Sequence, residues 1–292
     1  MADAQVEILS RRQCELGEGP SYDPATDTLW WFDILGRKLI EHRFADGSEI
    51  AHDLPLLASA IAIVDERRQL LATETGLHVR DCASGRLELV APIEADNPGT
   101  RSNDSRVHPS GAFWVGTMGR NAEKHAGAIY WYRAGETRRL FPNVSIPNSI
   151  CFSPAGDIAY YADSGKNILF RVECDPATGL PTSEPALLVD ERGKGGGIDG
   201  SVCDADGNIW NARWGCSRLD VYNPAGKHIA QYAMPAKQVS CPAFVGPALD
   251  RLAVTSAQEH QTAAERAADP QGGMTFLAGV RVKGRAEPRV LL

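Results

Sequence analysis

Four short segments place polar side chains beside glycine or proline, directly before apolar runs. They are residues 16–20 (LGEGP), 100–105 (TRSNDS), 146–150 (IPNSI) and 195–200 (GGGIDG). Packing does not require carboxylates or amides at these points, and such groups are costly to bury unless they are paired or bound to a ligand. Together the four segments therefore indicate a binding site.

The polar groups in these segments form an oxygen-donor set. The carboxylates of Glu18 and Asp199 and the amide oxygen of Asn148 are hard ligands, and Asn103 stands at a corresponding point. Calcium, magnesium and manganese prefer such ligands, with water completing the coordination shell. One divalent ion would balance the two carboxylate charges, and no His or Cys ligand is required.

Each segment alone also permits an ordinary structural role. Glu18 fits a solvated turn, residues 101–104 fit an Arg–Asp salt bridge beside an Asn-capped turn, and Asn148 fits a turn after proline. The glycine run before Asp199 lacks P-loop spacing, and no helix follows it. The sequence has no GxSxG nucleophile elbow, and its histidines stand in strand or turn contexts, which argues against an esterase triad.

The elements that must position these groups are short and strand-like. A turn rich in Asp, Gly or Pro precedes an alternating apolar run, and a second turn and run follow. This unit recurs six times at intervals of roughly 40–50 residues, which is the period of a propeller blade. We therefore predict an all-β fold, a six-bladed β-propeller with a central channel, as a single domain over residues 1–292. The alternative, an open array of β-sandwiches, does not explain six similar units without a linker.

The composition limits partners and location. The formal net charge of −7 argues against a nucleic-acid or anionic-membrane partner. The apolar runs are too short to span a membrane. The seven cysteines form no CxxC pair, and the first residues do not resemble a secretory leader. We therefore expect a cytoplasmic protein with reduced cysteines, and a monomer, because a closed propeller buries its own core.

Longer stretches around these segments resemble the family of gluconolactonases, regucalcin (senescence marker protein) and luciferin-regenerating enzyme. The resemblance covers nearly the whole chain, and its carriers are LGEGP, RSNDSRVHPSGAFWVGTMG, GAIYWY, IPNSICFSPAGDIAYYADS, GIDGSVCDADGNIWNARWG and CPAFVGPALDRLAVTSA. The combination is specific, although each piece is not. The family is a six-bladed propeller with one catalytic divalent metal, so the resemblance implies one such ion (calcium, zinc, magnesium or manganese).

Carried over by position, the resemblance makes Glu18, Asn148 and Asp199 the metal ligands and Asp199 also the general base. Arg101 and Asn103 are expected to bind the substrate.

Three further positions follow from the same resemblance. Asp104 is expected in a supporting role. Asn121 stands where relatives have an acidic substrate contact, and Arg213 stands where many have a smaller or neutral residue. The motif departs from the family at Ser102, where Phe or Pro is common, and this departure concerns the substrate wall rather than the metal.

The implied reaction is metal-dependent hydrolysis of a sugar lactone to the open-chain aldonate. The metal would polarise the ring carbonyl and Asp199 would activate water. If four basic residues surround the channel mouth, they favour an alternative, a lactone that bears a sulfonate or carboxylate; they are Arg120, Lys124, His125 and Arg213. The structural alternative for these residues is a solvated loop in which Glu123 offsets their charge. A non-catalytic calcium-binding protein like regucalcin is another alternative. Hydrolysis of non-sugar lactones or organophosphate esters is a third.

Overall fold

The computed structural model describes residues 5–292, which contain strands β1–β24 and one short helix, α1. Their bounds in chain order are β1 Glu7–Ser10, β2 Gly17–Asp23, β3 Thr28–Asp33, β4 Lys38–Arg43, β5 Glu49–Asp53, β6 Ala58–Ile63, β7 Arg68–Thr73, β8 Gly76–Asp81, β9 Leu87–Pro92, β10 Thr100–Val107, β11 Phe113–Gly119, β12 Gly127–Arg133, β13 Glu136–Val144, β14 Pro147–Phe152, β15 Ile158–Asp163, β16 Ile168–Glu173, β17 Ala186–Asp190, β18 Gly197–Cys203, β19 Ile209–Trp214, β20 Arg218–Tyr222, β21 His228–Ala233, β22 Gln238–Val245, β23 Arg251–Ala257, α1 Ala263–Ala268 and β24 Thr275–Leu277.

These strands form six four-stranded antiparallel sheets, and the predicted six-bladed β-propeller is confirmed. Blades 1 to 5 are the consecutive groups β2–β5, β6–β9, β10–β13, β14–β17 and β18–β21. Blade 6 contains β22, β23 and β24, and its fourth strand is β1 from the beginning of the chain. The pairing of β1 with β24 joins the first and the last strand of the described chain in one sheet. The single domain over residues 1–292 stays a prediction, and residues 1–4 lie outside the described range.

The first strand of each blade is the innermost. In turn β2, β6, β10, β14, β18 and β22 each pack against the next, and β22 packs against β2. These strands are almost wholly buried, and every residue of β10 and β14 is buried. The outermost strands of blades 1 to 5 are largely exposed. The apolar core lies between adjacent blades, as where Trp114 of blade 3 packs on Phe152 of blade 4.

Every innermost strand breaks register against its second strand at the same point. The breaks lie between Glu18 and Ser21, Ala58 and Ala60, Ser102 and Ser105, Asn148 and Cys151, Ile198 and Ser201, and Val239 and Pro242. A β-bulge bends the strand locally and re-aims a side chain. The four predicted residues Glu18, Asn103, Asn148 and Asp199 all stand within or at the edge of such a break, so one irregularity of the fold positions all of them.

Two glycines are required at these breaks. Gly19 has φ of +57°, and a Cβ there would lie 2.0 Å from the carbonyl oxygen of Ser59 in blade 2. A Cβ on Gly200 would lie 2.4 Å from Sγ of Cys241 in blade 6. Both approaches are too close for any side chain. The glycines that flank Glu18 and Asp199 in the sequence therefore let neighbouring blades approach closely at the site.

The one helix of the described residues stands in the connection between β23 and β24. It begins with a capping box in which Thr262 and Glu265 bond each other's backbone N–H groups. No helix within residues 5–292 has the length and apolar character needed to cross a membrane. The seven cysteines are free and five of them are buried, as expected for small apolar side chains.

Candidate active site

A pocket of about 270 Å³ lies where the innermost strands of blades 1, 3, 4 and 5 begin. This volume is near the lower end of small-molecule sites and suits one small ligand. Six residues predicted from the sequence as ligands or substrate contacts line it together: Glu18, Arg101, Asn103, Asn121, Asn148 and Asp199. Its apolar wall comes from Leu16, Met118, Ile146, Ile198 and Trp214.

Glu18 and Asp199 are buried carboxyl groups without a cationic partner. Glu18 accepts one hydrogen bond, from the backbone N–H of Gly19 at 2.9 Å. Burial, and then the carboxylate of Asp104, raise the pKa of Glu18 to about 8. Burial, and then the carboxylate of Glu18, raise the pKa of Asp199 well above its usual value. Two buried acids that interact and make no salt bridge favour uptake of positive charge, either protons or a metal cation.

The amide groups of Asn103 and Asn148 are oriented by their partners. Nδ2 of Asn103 donates to the carbonyl oxygen of Pro147 and to Oδ1 of Asn148, both at 2.9 Å. Oδ1 of Asn103 accepts from Nη1 of Arg101 at 2.9 Å. Arginine can only donate and a carbonyl can only accept, so this network fixes which amide atom is oxygen.

The same network selects the oxygen of Asn148 for a ligand. Its Nδ2 donates to Oγ of Ser164 at 2.9 Å. Its Oδ1 accepts one hydrogen bond from Asn103, and an amide oxygen has two acceptor positions. Asn148 can therefore offer an oxygen, not an N–H group, to a cation beside the two acids.

These donors fit a divalent cation. Glu18, Asp199 and Asn148 are all oxygen donors, as calcium, magnesium and manganese prefer. Residues 5–292 contain no group of three or more His, Cys, Asp and Glu side chains that could hold a metal. An ion at this pocket would therefore depend on the amide oxygen and on water in addition to the two carboxylates.

Asp104 lies behind the pocket. It is buried, and its Oδ2 accepts from the backbone N–H of Ile150 at 2.6 Å, which links β10 to β14. Burial raises its pKa to about 6, against the opposing effect of Arg106. Asp104 does not line the pocket, and its supporting role stays a prediction.

Asn121 lines the pocket but its amide is engaged. Nδ2 donates to Oε1 of Glu123 at 2.9 Å, and the backbone N–H of Asn121 donates to Oε2 of the same residue at 3.1 Å. Its Oδ1 is the atom left for a substrate hydroxyl.

The structure does not bring Arg213 to the pocket, which corrects its expected place at the channel mouth. Arg213 is fully buried, and its guanidinium lies 3.5 Å from the carboxylates of Glu191 and Asp220. Its neighbour Trp214 lines the pocket instead. Adjacent residues of a strand point to opposite faces, so only one of the two can face the ligand.

The other basic residues expected at the mouth also contribute little free positive charge. Arg120 lines the pocket but is paired with Glu74. Lys124 and His125 are not among the lining residues, and Nδ1 of His125 lies 3.0 Å from the carbonyl oxygen of Asn143.

Sequence reasoning missed the contribution of blade 6. Glu259 and His260, in the connection after β23, line the pocket, and so does Ser164 of blade 4. The signal was present: AQEHQ places an acid and a histidine directly after a predicted strand. Nothing in the sequence shows that this connection turns towards the channel.

Fold and pocket together define a β-propeller with a small-molecule site at one end of its axis. Residues 16–258 match the family described as SMP-30/Gluconolactonase/LRE-like region, and the chain belongs to this family.

Named relatives agree with this membership. The chain is 55% identical over 280 residues to a Rhizobium meliloti protein named "Putative sugar lactone lactonase", covering 96% of this chain and 95% of that protein. It is 36% identical over 292 residues to the L-arabinolactonase of Azospirillum brasilense, covering 98% of this chain and 95% of the relative. It is 30% identical over 285 residues to the 6-deoxy-6-sulfogluconolactonase of Pseudomonas putida, covering 97% of each.

One solved structure is similar over almost its whole length. A calcium-binding protein, regucalcin, from Agrobacterium tumefaciens has a TM-score of 0.98 and 51% identity, covering 99% of this chain and 98% of that one. The resemblance inferred from the sequence motifs is confirmed by these matches.

Proposed function

We propose that this protein hydrolyses a neutral sugar lactone to the open-chain aldonate, with one divalent cation held by Glu18, Asn148 and Asp199. One observation carries the proposal: two uncompensated buried carboxyls, an oriented amide oxygen and an arginine share one pocket. The names of the relatives support lactone hydrolysis as the reaction class and the enzyme as a hydrolase of carboxylic esters. The similarity to a regucalcin described as calcium-binding supports a divalent ion.

The bound ion would supply Lewis-acid polarisation of an oxygen of the substrate. The protein's own residues supply the rest. Arg101 donates to Asn103, which in turn orients Asn148, so substrate contact and ligand oxygen are held by one hydrogen-bond chain. Such positioning by fixed partners is what an oriented reaction needs.

Asp199 is our candidate for the general base. Its carboxylate takes a proton from the attacking water, whose oxygen forms a bond to the carbonyl carbon of the lactone. The bond between that carbon and the ring oxygen breaks, and the proton returns to the ring oxygen. In the metal-free protein burial raises the pKa of Asp199, and a bound cation would hold the carboxylate ionised, which is the form that can accept a proton.

Charge favours a neutral substrate over an anionic one. Arg213 is buried with two acids, and Arg120 is paired with Glu74. Arg101 is therefore the one basic residue of the pocket lining that no carboxylate pairs, within residues 5–292. The name of the Pseudomonas putida relative keeps a sulfonated lactone as the second candidate, to be decided by substrate comparison.

The test is lactone hydrolysis by metal-stripped protein, with calcium, magnesium, manganese and zinc added back singly. We expect acid release from glucono- or galactonolactone to require a metal, and Asp199→Asn to lower kcat by about 100-fold or more. The matched control is Asp206→Asn, at a surface carboxylate paired with Lys283.

Calorimetric titration of calcium into the same samples separates the alternatives. Calcium binding without hydrolysis of any neutral or sulfonated lactone would contradict the proposal and favour a binding protein. Higher kcat/KM for the sulfonated lactone would favour the second candidate.

A further inference from the structure

Glu259 lines the pocket, and within residues 5–292 no hydrogen-bond donor engages its carboxylate. It stands two residues after β23, its side chain is 20% exposed, and it lines the pocket. Among residues 5–292 its carboxylate accepts no hydrogen bond, and its nearest basic atom is Nε2 of the exposed His260, at 3.6 Å. An ionised carboxylate has several acceptor positions, and here all of them are left for donors from a ligand or from water.

The backbone around Glu259 is held without help from its side chain. The backbone N–H of Gln258 donates to the carbonyl oxygen of Glu15 at 3.0 Å, and Nε2 of Gln238 donates to the carbonyl oxygen of Glu259 at 3.1 Å. Arg266 of α1 donates to Oε1 of Gln258 at 3.1 Å and to the Glu15 carboxylate at 2.6 Å. The connection is therefore fixed against the segment that precedes β2 and against α1, and Glu259 is held among the residues that line the pocket.

The Glu259 carboxylate affects the pKa values of other residues in the pocket. Burial lowers the pKa of Arg101, and Glu259 is the strongest of the opposing acidic neighbours. Glu259 also contributes to the raised pKa of Asp199, after burial and two other acids. An anionic substituent on a ligand would meet the same negative charge.

We propose that Glu259 is a substrate-binding and specificity-determining residue, which accepts hydrogen bonds from hydroxyl groups of a neutral sugar lactone and repels lactones that carry an anion. This inference rests on the proposed lactonase function. The acidic side chain that accepts hydrogen bonds from substrate hydroxyl groups then lies in blade 6. The amide of Asn121 in blade 3 is held by Glu123 instead. A buried acceptor that matches a substrate hydroxyl discriminates strongly against ligands lacking that group.

The test compares Glu259→Gln and Glu259→Ala with the wild type on a neutral aldonolactone and on its 6-sulfonated form. For Glu259→Ala we expect kcat/KM on the neutral lactone to fall about tenfold, mostly through KM, because uniform binding is lost. For Glu259→Gln we expect the ratio of kcat/KM for sulfonated over neutral lactone to rise about tenfold. That rise should shrink at high salt, as screening predicts.

Two control variants accompany these. Glu88→Gln alters an exposed acid on the outermost strand of blade 2 and should change neither quantity. His260→Ala removes the mostly exposed neighbour and should change the ratio less than Glu259→Gln does.

A second measurement tests substrate binding by Glu259 without requiring that the lactone is hydrolysed. Calorimetry with an anhydroalditol, which has the sugar ring and hydroxyls but no ester, reports binding by the calcium-loaded protein. Weaker binding of the anhydroalditol to Glu259→Ala would support the inference even if the wild type hydrolysed no lactone. The absence of hydrolysis would contradict only the proposed function. Unchanged selectivity and unchanged anhydroalditol binding in both Glu259 variants would overturn the inference.

Discussion

The two ends of the propeller axis treat charge in opposite ways. At the beginnings of the innermost strands, Glu18 and Asp199 are buried with no cationic partner. Further along the same strands, Arg106 is buried and its Nη1 lies 2.8 Å from Oε1 of Glu287, while its Nη2 donates to the carbonyl oxygen of Ser201 at 3.2 Å. The buried acids at the pocket end make no salt bridge, whereas the buried charge of Arg106 at the other end is paired within the chain.

The neutralised end is covered by the last residues of the chain. Backbone N–H groups of Val290 and Leu291 donate to blade 2 and blade 3 carbonyls at 2.9 Å. Arg285 donates to the carbonyl oxygens of Phe152 and Cys203 at 3.0 and 3.3 Å. Since the fold supplies a partner for a buried charge at this end, the unpaired acids at the pocket support our proposal that their partner is a bound cation.

The largest effect is expected from removing one of the unmatched acids. We expect Glu18→Gln to weaken calcium binding at least about 100-fold, since losing even a supporting partner of a ligand costs about 10- to 100-fold. Lactone hydrolysis at fixed low calcium should fall at least as much. The matched change at the other end, Glu287→Gln, should lower stability but leave calcium affinity within about threefold. Equal losses of affinity in both variants would break the distinction between the two ends.

Removal of the paired charge of Arg106 should lower the free energy of unfolding. Arg106→Leu leaves the partly buried carboxylate of Glu287 unpaired, and we expect the free energy of unfolding to fall by about 3 kcal/mol. Urea denaturation of metal-free protein measures this change. The exposed pair of Arg86 and Glu88 provides the control, because Arg86→Leu should cost under about 0.5 kcal/mol. A double variant with Glu287→Gln should recover part of the loss, and additive losses would contradict the pairing.

The contrast between the two ends was only partly visible in the sequence. The pocket end could be predicted because Glu18, Asn103, Asn148 and Asp199 repeat one local position, a polar residue at a bulge of an innermost strand. The other end could not, because Arg106 and Glu287 are 181 residues apart and no local pattern relates them.

The misplacement of Arg213 and the omission of Glu259 have related causes. Arg213 and Trp214 are adjacent on β19, and the face that each presents depends on register with β18, which short motifs do not determine. Glu259 lies in an irregular connection whose path depends on contacts to Glu15 and Gln238, far away in the chain or in another strand. The repeated strand pattern of the blades is visible in short stretches of sequence. The residues that form the pocket wall, and the path of the connection after β23, depend instead on long-range packing.

The effect of a single pH unit is expected to be the smallest, and a rise in pH should lower the stability of the metal-free protein but raise its calcium affinity. In the metal-free folded protein the pKa of Glu18 is raised from 4.5 to about 8, so the folded state binds more protons than the unfolded state in that window. Stability of the metal-free protein should therefore fall as pH rises through it. Calcium requires ionised ligands and displaces these protons, so its affinity should rise over the same window, by up to about 1.4 kcal/mol per pH unit for each proton released.

Calorimetric titration of calcium at pH 6, 7 and 8, in buffers of different ionisation enthalpy, counts the protons that are released. Glu18→Gln should reduce the slope and Glu287→Gln should retain it, because only the first removes an acid that competes between proton and metal. A calcium affinity that does not change between pH 6 and 8 would show that the acids at the pocket are already ionised, and the contrast between the two ends would then be one of packing rather than of charge.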